Sequence, residues 1–138
     1  METTLVLIKP DAVRRNIIGE VIRRLEEKGL TIRAMKLMKM SGELADKHYA
    51  EHLSKGFYGE LKAFMTGGAL VALAVSGPDA VALTRTIMGA TNPANAAPGT
   101  IRKDLAKSMS ENVIHGSDSP ESAKRELALW FTEAEYVG

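Results

Sequence analysis

Two uninterrupted apolar runs constrain the fold of this chain more than any other feature of its sequence. Residues 5–8 are all aliphatic, and residues 69–75 are seven apolar residues in a row. Runs of this length that end at proline or glycine are typical of buried strands. The first run ends at Lys9-Pro10 and the second at Ser76-Gly77. We therefore expect a sheet whose central strands are these two segments.

A third strand is predicted over residues 30–40, where the alternation of apolar and polar residues is imperfect. Ile32 and Ala34 would lie on one face, and Met35 and Leu37 on the other. A bulge, or a change of exposure in the middle of the strand, would explain the slip. A fourth, short strand is predicted to end at residues 113–114.

Helices are predicted between and after these strands. Apolar residues at helical spacing form a core-facing stripe over residues 17–25, and Gly29 ends that helix. Further helices are predicted over residues 43–53, 57–66 and 78–88, and along the stripe of Ala123, Leu127, Trp130 and Phe131. Asp11 is a candidate cap for a short helical turn, and a second short turn follows at residues 100–105. Residues 90–99 form a long loop without periodicity, a kind of loop that usually carries function in compact domains.

The order of these elements predicts an α+β fold. Three strand–helix–strand crossovers and four strands in 138 residues are typical of a ferredoxin-like, four-stranded antiparallel sheet, the split βαβ arrangement. We expect the helices to cover one face of this sheet. The chain contains no linker or internal repeat, so we expect residues 1–138 to form a single domain.

Composition narrows the classes of function. The net charge is +1, and both signs are spread along the chain, so there is no basic stripe for nucleic acid and no polybasic run for a membrane. Cysteine is absent, which excludes disulfides and thiolate metal sites. Residues 1–4 carry no basic segment, and no apolar run approaches the length of a membrane span. We expect no signal peptide, no membrane segment and a cytoplasmic location.

Residues 112–119 form the segment with the clearest chemical signal. Gly116 permits a sharp turn after the fourth strand, and Ser119-Pro120 is a favourable start for a helix. His115 would therefore lie beside a helix N-terminus, whose free N–H groups suit an anion such as phosphate. Ser117 and Asp118 add a hydroxyl and a carboxylate nearby.

Two shorter motifs leave other functions open. His48, Glu51 and His52 match the H-x-x-E-H pattern of some zinc hydrolases, although no third ligand is evident. We interpret the two histidines as residues of a solvated helix face. Residues 55–59 resemble the start of an RNA-recognition strand, but the residues after them have helical periodicity. A zinc hydrolase and a nucleic-acid binder are therefore the alternatives to phosphate chemistry.

Phosphates in this protein would have to be held without a glycine-rich cradle. The chain contains neither the P-loop pattern nor the dinucleotide-binding pattern. Side-chain cations and polar groups from several segments would then have to converge. The candidates that lie outside the core stripes are Lys9, Arg85, Thr91, Arg102 and Asn112.

Residues 112–119 match the active-site signature of nucleoside diphosphate kinases, and the resemblance extends along nearly the whole chain. The stretches at residues 8–11, 88–93 and 98–102 are also similar to segments that line the nucleotide site in that family. The resemblance implies that His115 is the phosphorylated nucleophile, that Glu126 orients it directly or through Ser117, and that Tyr49 lies close to the reacting phosphate. It implies that Arg85, Thr91 and Arg102 hold the phosphates, Lys9 and Asn112 the ribose, and Phe57 the base.

The resemblance also implies the reaction and its requirements. A γ-phosphoryl group would move from a nucleoside triphosphate to a nucleoside diphosphate by a ping-pong mechanism through phospho-His115, with broad base specificity. Mg²⁺ would arrive with the nucleotide, without a dedicated metal site in the protein, and Asp118 could touch it through water. Family members are homo-oligomers, either tetramers or hexamers, that are built from dimers.

Overall fold

The computed structural model describes residues 1–137 of the chain. The strands are β1 (Glu2–Ile8), β2 (Thr31–Lys39), β3 (Ala69–Gly77) and β4 (Ile114–Gly116). The helices are α1 (Pro10–Arg14), α2 (Ile18–Glu27), α3 (Gly42–His48), α4 (Tyr58–Thr66), α5 (Ala80–Met88), α6 (Ile101–Leu105) and α7 (Pro120–Trp130). Short 3₁₀ turns cover Ala50–His52, Pro93–Asn95 and Glu133–Glu135. Within residues 1–137, every helix is too short or too polar to cross a membrane.

The four strands form one antiparallel sheet in the order β2-β3-β1-β4. The two apolar runs are its inner strands, because β1 pairs with both β3 and β4, and β3 pairs with both β1 and β2. Leu5, Val6, Leu7 and Ile8 are all completely buried. The predicted four-stranded antiparallel, ferredoxin-like sheet is confirmed.

Helices cover both faces of this sheet, so the expectation of a single covered face is wrong. Val6 packs in one core with Val21 of α2 and with residues of α5. Its neighbour Leu5 packs in a second core with Trp130 of α7 and with residues of α3 and α4. Side chains alternate between the faces of a strand, and the inner strands are apolar at every position over residues 5–8 and 69–75, so both faces need cover there.

A bulge in β2 changes the faces predicted for that strand. The register with β3 shifts between Ile32 and Ala34, so of the two explanations for the slip the structure shows the bulge. One extra residue at that point puts Ile32 against the first core and Ala34 in the second, so these residues do not share a face. Met35 and Leu37 stay exposed, at 57% and 65%, on this edge strand.

The helix predicted over residues 43–53 is shorter in the structure. α3 ends at His48, because Tyr49 leaves the helical conformation at φ −100° and ψ 33°, and a 3₁₀ turn follows. His48 is only 3% exposed. The interpretation of His48 as a residue of a solvated helix face is therefore wrong.

The segment around His115 also differs in detail from the prediction. His115 lies within β4, opposite Leu7 of β1, and Val113 precedes the strand with a φ of +76°. Gly116 lies inside β4 and is closely packed, since a Cβ there would lie 2.6 Å from the sulfur of Met88, which would have to move. The predicted start of α7 is confirmed, because the Ser119 hydroxyl accepts a hydrogen bond from the Ser122 N–H at 3.1 Å.

Asp11 does not cap a helix as predicted. It lies inside the first turn of α1, where it is 1% exposed. Its Oδ2 accepts a hydrogen bond from the N–H of Val113 at 3.1 Å. Asp11 therefore holds the strained residue that leads into β4, and so ties β4 to the end of β1.

Candidate active site

A cleft of about 340 Å³ lies beside β4, where β1 ends. Most of the residues predicted for the site line it, namely His115, Glu126, Tyr49, Lys9, Arg85, Thr91, Arg102 and Asn112. Asp118 lines it as well. The long loop, α5, α6 and α7 each contribute residues, so the cleft assembles segments that are far apart in the chain.

His115 is held in the cleft by the carboxylate of Glu126. Its Nε2 lies 3.0 Å from Glu126 Oε1, and the hydroxyl of Ser117 donates to the same oxygen at 2.8 Å. Burial alone would raise the pKa of Glu126, but the hydrogen bonds from His115 and Ser117 outweigh it, and the pKa lies below its usual value. An ionised carboxylate only accepts, so in the neutral ring Nε2 of His115 carries the proton and Nδ1 keeps its lone pair. This is the form in which an imidazole can act as a nucleophile.

Two arginines are anchored to the backbone on either side of His115. Arg85 donates to the carbonyl of Gly116 at 3.1 Å, and Arg102 donates to the carbonyl of Ile114 at 2.6 Å. Burial lowers the pKa of Arg102 to about 10, and the nearby charge of Arg85 contributes. The Arg102 guanidinium therefore remains positive near neutral pH. Its Nε is buried without a hydrogen-bond partner among the described residues.

Lys9 and Asn112 form a second polar pair in the cleft. The Nζ of Lys9 donates to Oδ1 of Asn112 at 2.8 Å, and Asn112 Nδ2 lies 3.5 Å from the carbonyl oxygen of Thr91. Lys9 is 7% exposed. Burial lowers the pKa of Lys9 to about 8; the charge of Asp11 opposes this shift and that of Arg102 adds to it.

Tyr49 and Phe57 differ in how deeply they lie. Tyr49 lines the cleft, and burial, followed by the charge of Glu126, raises the pKa of its hydroxyl well above the ordinary value. The hydroxyl is therefore protonated and can donate a hydrogen bond. Phe57 does not line the cleft in this structure: it precedes α4, is 52% exposed, and its ring centroid lies 5.5 Å from that of His52 at the cleft wall.

Comparison with known proteins decides the family. The family model described as nucleoside diphosphate kinase matches residues 2–136. The chain is 62% identical over 131 residues to a nucleoside diphosphate kinase of Rubrobacter xylanophilus, and the match covers 95% of this chain and 98% of the relative. It is 56% identical over 137 residues to the one of Deinococcus radiodurans, with 99% of both chains covered. The chain belongs to the nucleoside diphosphate kinase family.

Solved nucleoside diphosphate kinases have the same fold. The structure of a halophilic nucleoside diphosphate kinase from Halobacterium salinarum in complex with CDP superposes with a TM-score of 0.96 at 45% identity, and the match covers 99% of this chain and 91% of that one. The Aquifex aeolicus nucleoside diphosphate kinase superposes with a TM-score of 0.96 at 37% identity, with 99% of both chains covered.

Membership of this family establishes the activity. The chain is a phosphotransferase that moves the γ-phosphoryl group of a nucleoside triphosphate to a nucleoside diphosphate by a ping-pong mechanism. The predicted family and enzyme class are confirmed.

The nucleoside diphosphate kinase cleft also contains residues that the sequence analysis did not place there, namely His48, Glu51, His52, Leu61, Met109, Ser122 and Arg125. One signal for His48 was present, since it follows the buried residue Ala45 by three positions and so lies on the same side of α3. Nothing local indicated Arg125, which donates to the carbonyls of Lys47 and His48 from α7.

The structure does not assemble the zinc set suggested by the H-x-x-E-H motif. Within residues 1–137, the group of potential ligands close enough to share an ion is His48, His115 and Glu126, whose donor atoms lie within 4.8 Å of one another. Glu51 and His52 are outside this group. The motif match was therefore a coincidence of spacing, and His48 shares its surroundings with His115 instead.

Proposed function

We propose that residues 1–138 act as a single kinase domain in which His115 carries the phosphoryl group between the two nucleotides. The observation that supports this most directly is the arrangement around its ring. Glu126 is hydrogen-bonded to Nε2 of His115, and Nδ1 has no protein partner among the described residues. Arg85 and Arg102 are bonded to the backbone carbonyls of the residues on either side of His115.

Each half-reaction exchanges one phosphorus bond for another. The lone pair of His115 Nδ1 attacks the γ-phosphorus, a P–N bond forms, and the bond to the bridging oxygen breaks with its electrons leaving on the nucleoside diphosphate. A terminal oxygen of the acceptor diphosphate then attacks phosphorus, and the P–N bond breaks with its electrons returning to Nδ1. Glu126 keeps the Nε2 proton in place and stabilises the positive charge on the ring, while Ser117 steadies Glu126.

The transferred group needs positioning and charge neutralisation more than proton transfer. Arg85 and Arg102 would supply positive charge on both sides of it, with Thr91 as a further phosphate ligand. The protonated hydroxyl of Tyr49 would donate to the same group. These roles are supported by the anchoring of both arginines and by the common cleft that the four side chains line.

The rest of the nucleotide would lie along the cleft towards α4. Lys9 and Asn112 would hold the ribose hydroxyls, and Phe57 would stack on the base. Every base has a face that can stack on an aromatic ring. No Asn or Gln lies near Phe57 in the sequence, so we expect all common bases to be accepted.

Mg²⁺ would enter with the nucleotide. The donor set of the cleft fits this arrangement, because Glu126 is already engaged with His115 and Ser117, and the other carboxylates of residues 1–137 do not group into a cage. The phosphates would be the main ligands, with Asp118 contributing through water. The ion would neutralise phosphate charge.

We further propose that the chain forms a homo-oligomer, a tetramer or hexamer built from dimers. The supporting observation is the apolar surface on the free edge of the sheet, where Met35 and Leu37 are more than half exposed. We propose a cytoplasmic location, and neither nucleic acid nor a membrane as a partner. The net charge of +1 supports the absence of nucleic-acid and membrane partners, because it offers little attraction to a polyanion or an anionic surface.

The test is incubation of the purified protein with ATP labelled in the γ-phosphate. We expect label on the protein that is lost in acid, because a phosphoramidate hydrolyses there, and that is chased off by any nucleoside diphosphate. ATP labelled in the α-phosphate is the matched control and should leave no label. Label that survives acid would indicate a phosphorylated hydroxyl, and absence of label would contradict the proposal.

A further inference from the structure

Trp130 fixes the protonation state of a second histidine beside His115. The indole N–H of Trp130 donates to Nδ1 of His48 at 3.0 Å, and both side chains are 3% exposed. An indole nitrogen can only donate. Nδ1 of His48 must therefore supply the lone pair, and the proton of the neutral ring must be on Nε2.

The surroundings of His48 keep this ring neutral. Burial lowers the pKa of His48 to about 3, and the charge of His115 adds to this effect, although Glu126 opposes it. The titratable groups that face His48 come from three directions: His115 on β4, Glu126 and Arg125 on α7, and Tyr49 and His52 after α3. At neutral pH the ring is uncharged.

His48 is also in contact with the reacting histidine. The two ring centroids are 4.9 Å apart with the ring planes at 71°, so the edge of one ring meets the face of the other. One ring nitrogen of His48, one of His115 and a carboxylate oxygen of Glu126 lie within 4.8 Å of one another. A ring nitrogen of His48 therefore lies close enough to the His115–Glu126 hydrogen bond for the protonation of His48 to affect it electrostatically.

We propose that Trp130 and His48 form a positioning pair that determines which nitrogen of His115 attacks the phosphate. The hydrogen bond from Trp130 keeps the lone pair of His48 on Nδ1, which points at Trp130. Glu126 is then the acceptor for the His115 proton, and the edge of the His48 ring holds the plane of the imidazole. The proposal rests on the role of His115 given above.

The hydrogen bond from Trp130 to His48 also keeps three potential metal ligands from forming a metal site. His48, His115 and Glu126 offer the two-histidine, one-carboxylate set that zinc uses in enzymes. A ring nitrogen that carries a proton has no lone pair for a metal, and His48 can free Nε2 only by abandoning Trp130. The reacting nitrogen of His115 is thereby left for the nucleotide.

The first test measures the tautomer directly. Nitrogen-15 NMR of the full-length protein labelled at histidine should show His48 with Nδ1 unprotonated and Nε2 protonated at pH 7. The signals of this ring are assigned by their loss in the His48→Asn variant. A His48 ring protonated at Nδ1, or a mixture of tautomers, would overturn the proposal whether or not the protein is active.

The second test separates positioning from packing. Trp130→Phe keeps an aromatic ring but removes the donor, so the neutral His48 ring should no longer be held in a single tautomer. We expect kcat to fall roughly tenfold with little change in KM, a scale typical of partners that orient a functional histidine. Nitrogen-15 NMR of the same variant should show a mixture of His48 tautomers.

His48→Asn and Phe131→Leu are the matched variants. The amide oxygen that His48→Asn introduces can still accept from Trp130, but the ring that meets His115 is gone, so this variant should also lose kcat with little change in KM. Phe131→Leu removes aromatic packing from the same core and should lower Tm while kcat stays native. Native kinetics in Trp130→Phe, or an equal loss in Phe131→Leu, would overturn the proposal. Failure of the native protein to take up γ-label would instead contradict the role of His115.

Discussion

The two ends of the cleft are built differently. At the reacting end, His115, Glu126 and Ser117 are joined by hydrogen bonds of 2.8–3.0 Å, and Ser117 and Glu126 are 1% and 6% exposed. At the end proposed for the base, Phe57 is 52% exposed and lies just before α4, after the 3₁₀ turn Ala50–His52. The first end belongs to β4 and α7, whereas the second consists of a helix start and a loop.

This difference separates two physical requirements of one reaction. Phosphoryl transfer depends on groups that already point at the reacting atoms, so their orientation must be set by buried contacts. An enzyme that accepts every common base and then releases the nucleotide needs an open stacking surface for the base rather than a fitted pocket. Changes at the reacting end should therefore alter kcat, and changes at the base end should alter KM.

The largest effect is expected for His115→Ala. The variant should fold, because this side chain is one-quarter exposed and only its bond to Glu126 is lost. It should show no turnover and take up no label from γ-labelled ATP. Nucleotide binding, measured by calorimetry, should persist. Substantial turnover in this variant would mean that the phosphoryl group travels by another residue.

Glu126→Ala should lower kcat roughly ten- to a hundredfold, by analogy with partners that orient metal-bound histidines. The ring of His115 would lose its acceptor, while the phosphate and base contacts would remain. Steady-state kinetics should therefore show little change in KM. Glu121→Ala, an exposed carboxylate in the first turn of the same helix, is the control and should be near native.

The pH dependence of the reaction tests Lys9, the buried cation proposed to hold the ribose between the two ends. Burial lowers the pKa of Lys9 to about 8, so the ammonium is charged below that pH and neutral above it. We expect kcat/KM to fall as pH rises through about 8, approaching roughly tenfold per pH unit. Lys9→Met should have lower kcat/KM at pH 7 and no such limb. A limb that survives this substitution belongs to another group.

Phe57→Ala should have the smallest effect of the four. Stacking of a base on an aromatic ring contributes about 1–3 kcal/mol, and the half-exposed position of Phe57 favours the lower value, which is about fivefold in kcat/KM. The loss should appear in KM, be greater for purines, and leave label uptake intact. Leu53→Ala, which truncates an apolar side chain that is 50% exposed, is the control. A large fall in kcat would show that the two ends are not separable.

Most of the fold and much of the site could be predicted from the sequence. The apolar runs of β1 and β3, the bulge of β2 and the Ser119 cap of α7 all follow from patterns within a few residues. The resemblance across residues 112–119 indicated the reaction, and most residues that it implied do line one cleft. Their roles remain predictions.

His48 and His52 show where sequence reasoning stops. They belong to one motif, four positions apart, and were assigned one solvated face. The chain instead leaves the helix at Tyr49, so His48 packs against Trp130 and His115 while His52 lies at the cleft wall beside Phe57. Periodicity describes a helix only as long as the helix continues.

Local pattern alone determined which segments are strands and helices, because burial periodicity, caps and breakers act between near neighbours. The tertiary structure decided which groups meet: Trp130 and His48 are 82 positions apart, and Lys9 and Asn112 are 103 positions apart. It also decided that both faces of the sheet are covered and that Gly116 packs closely against Met88. These outcomes depend on the packing of whole elements against each other, and no short window of sequence contains that information.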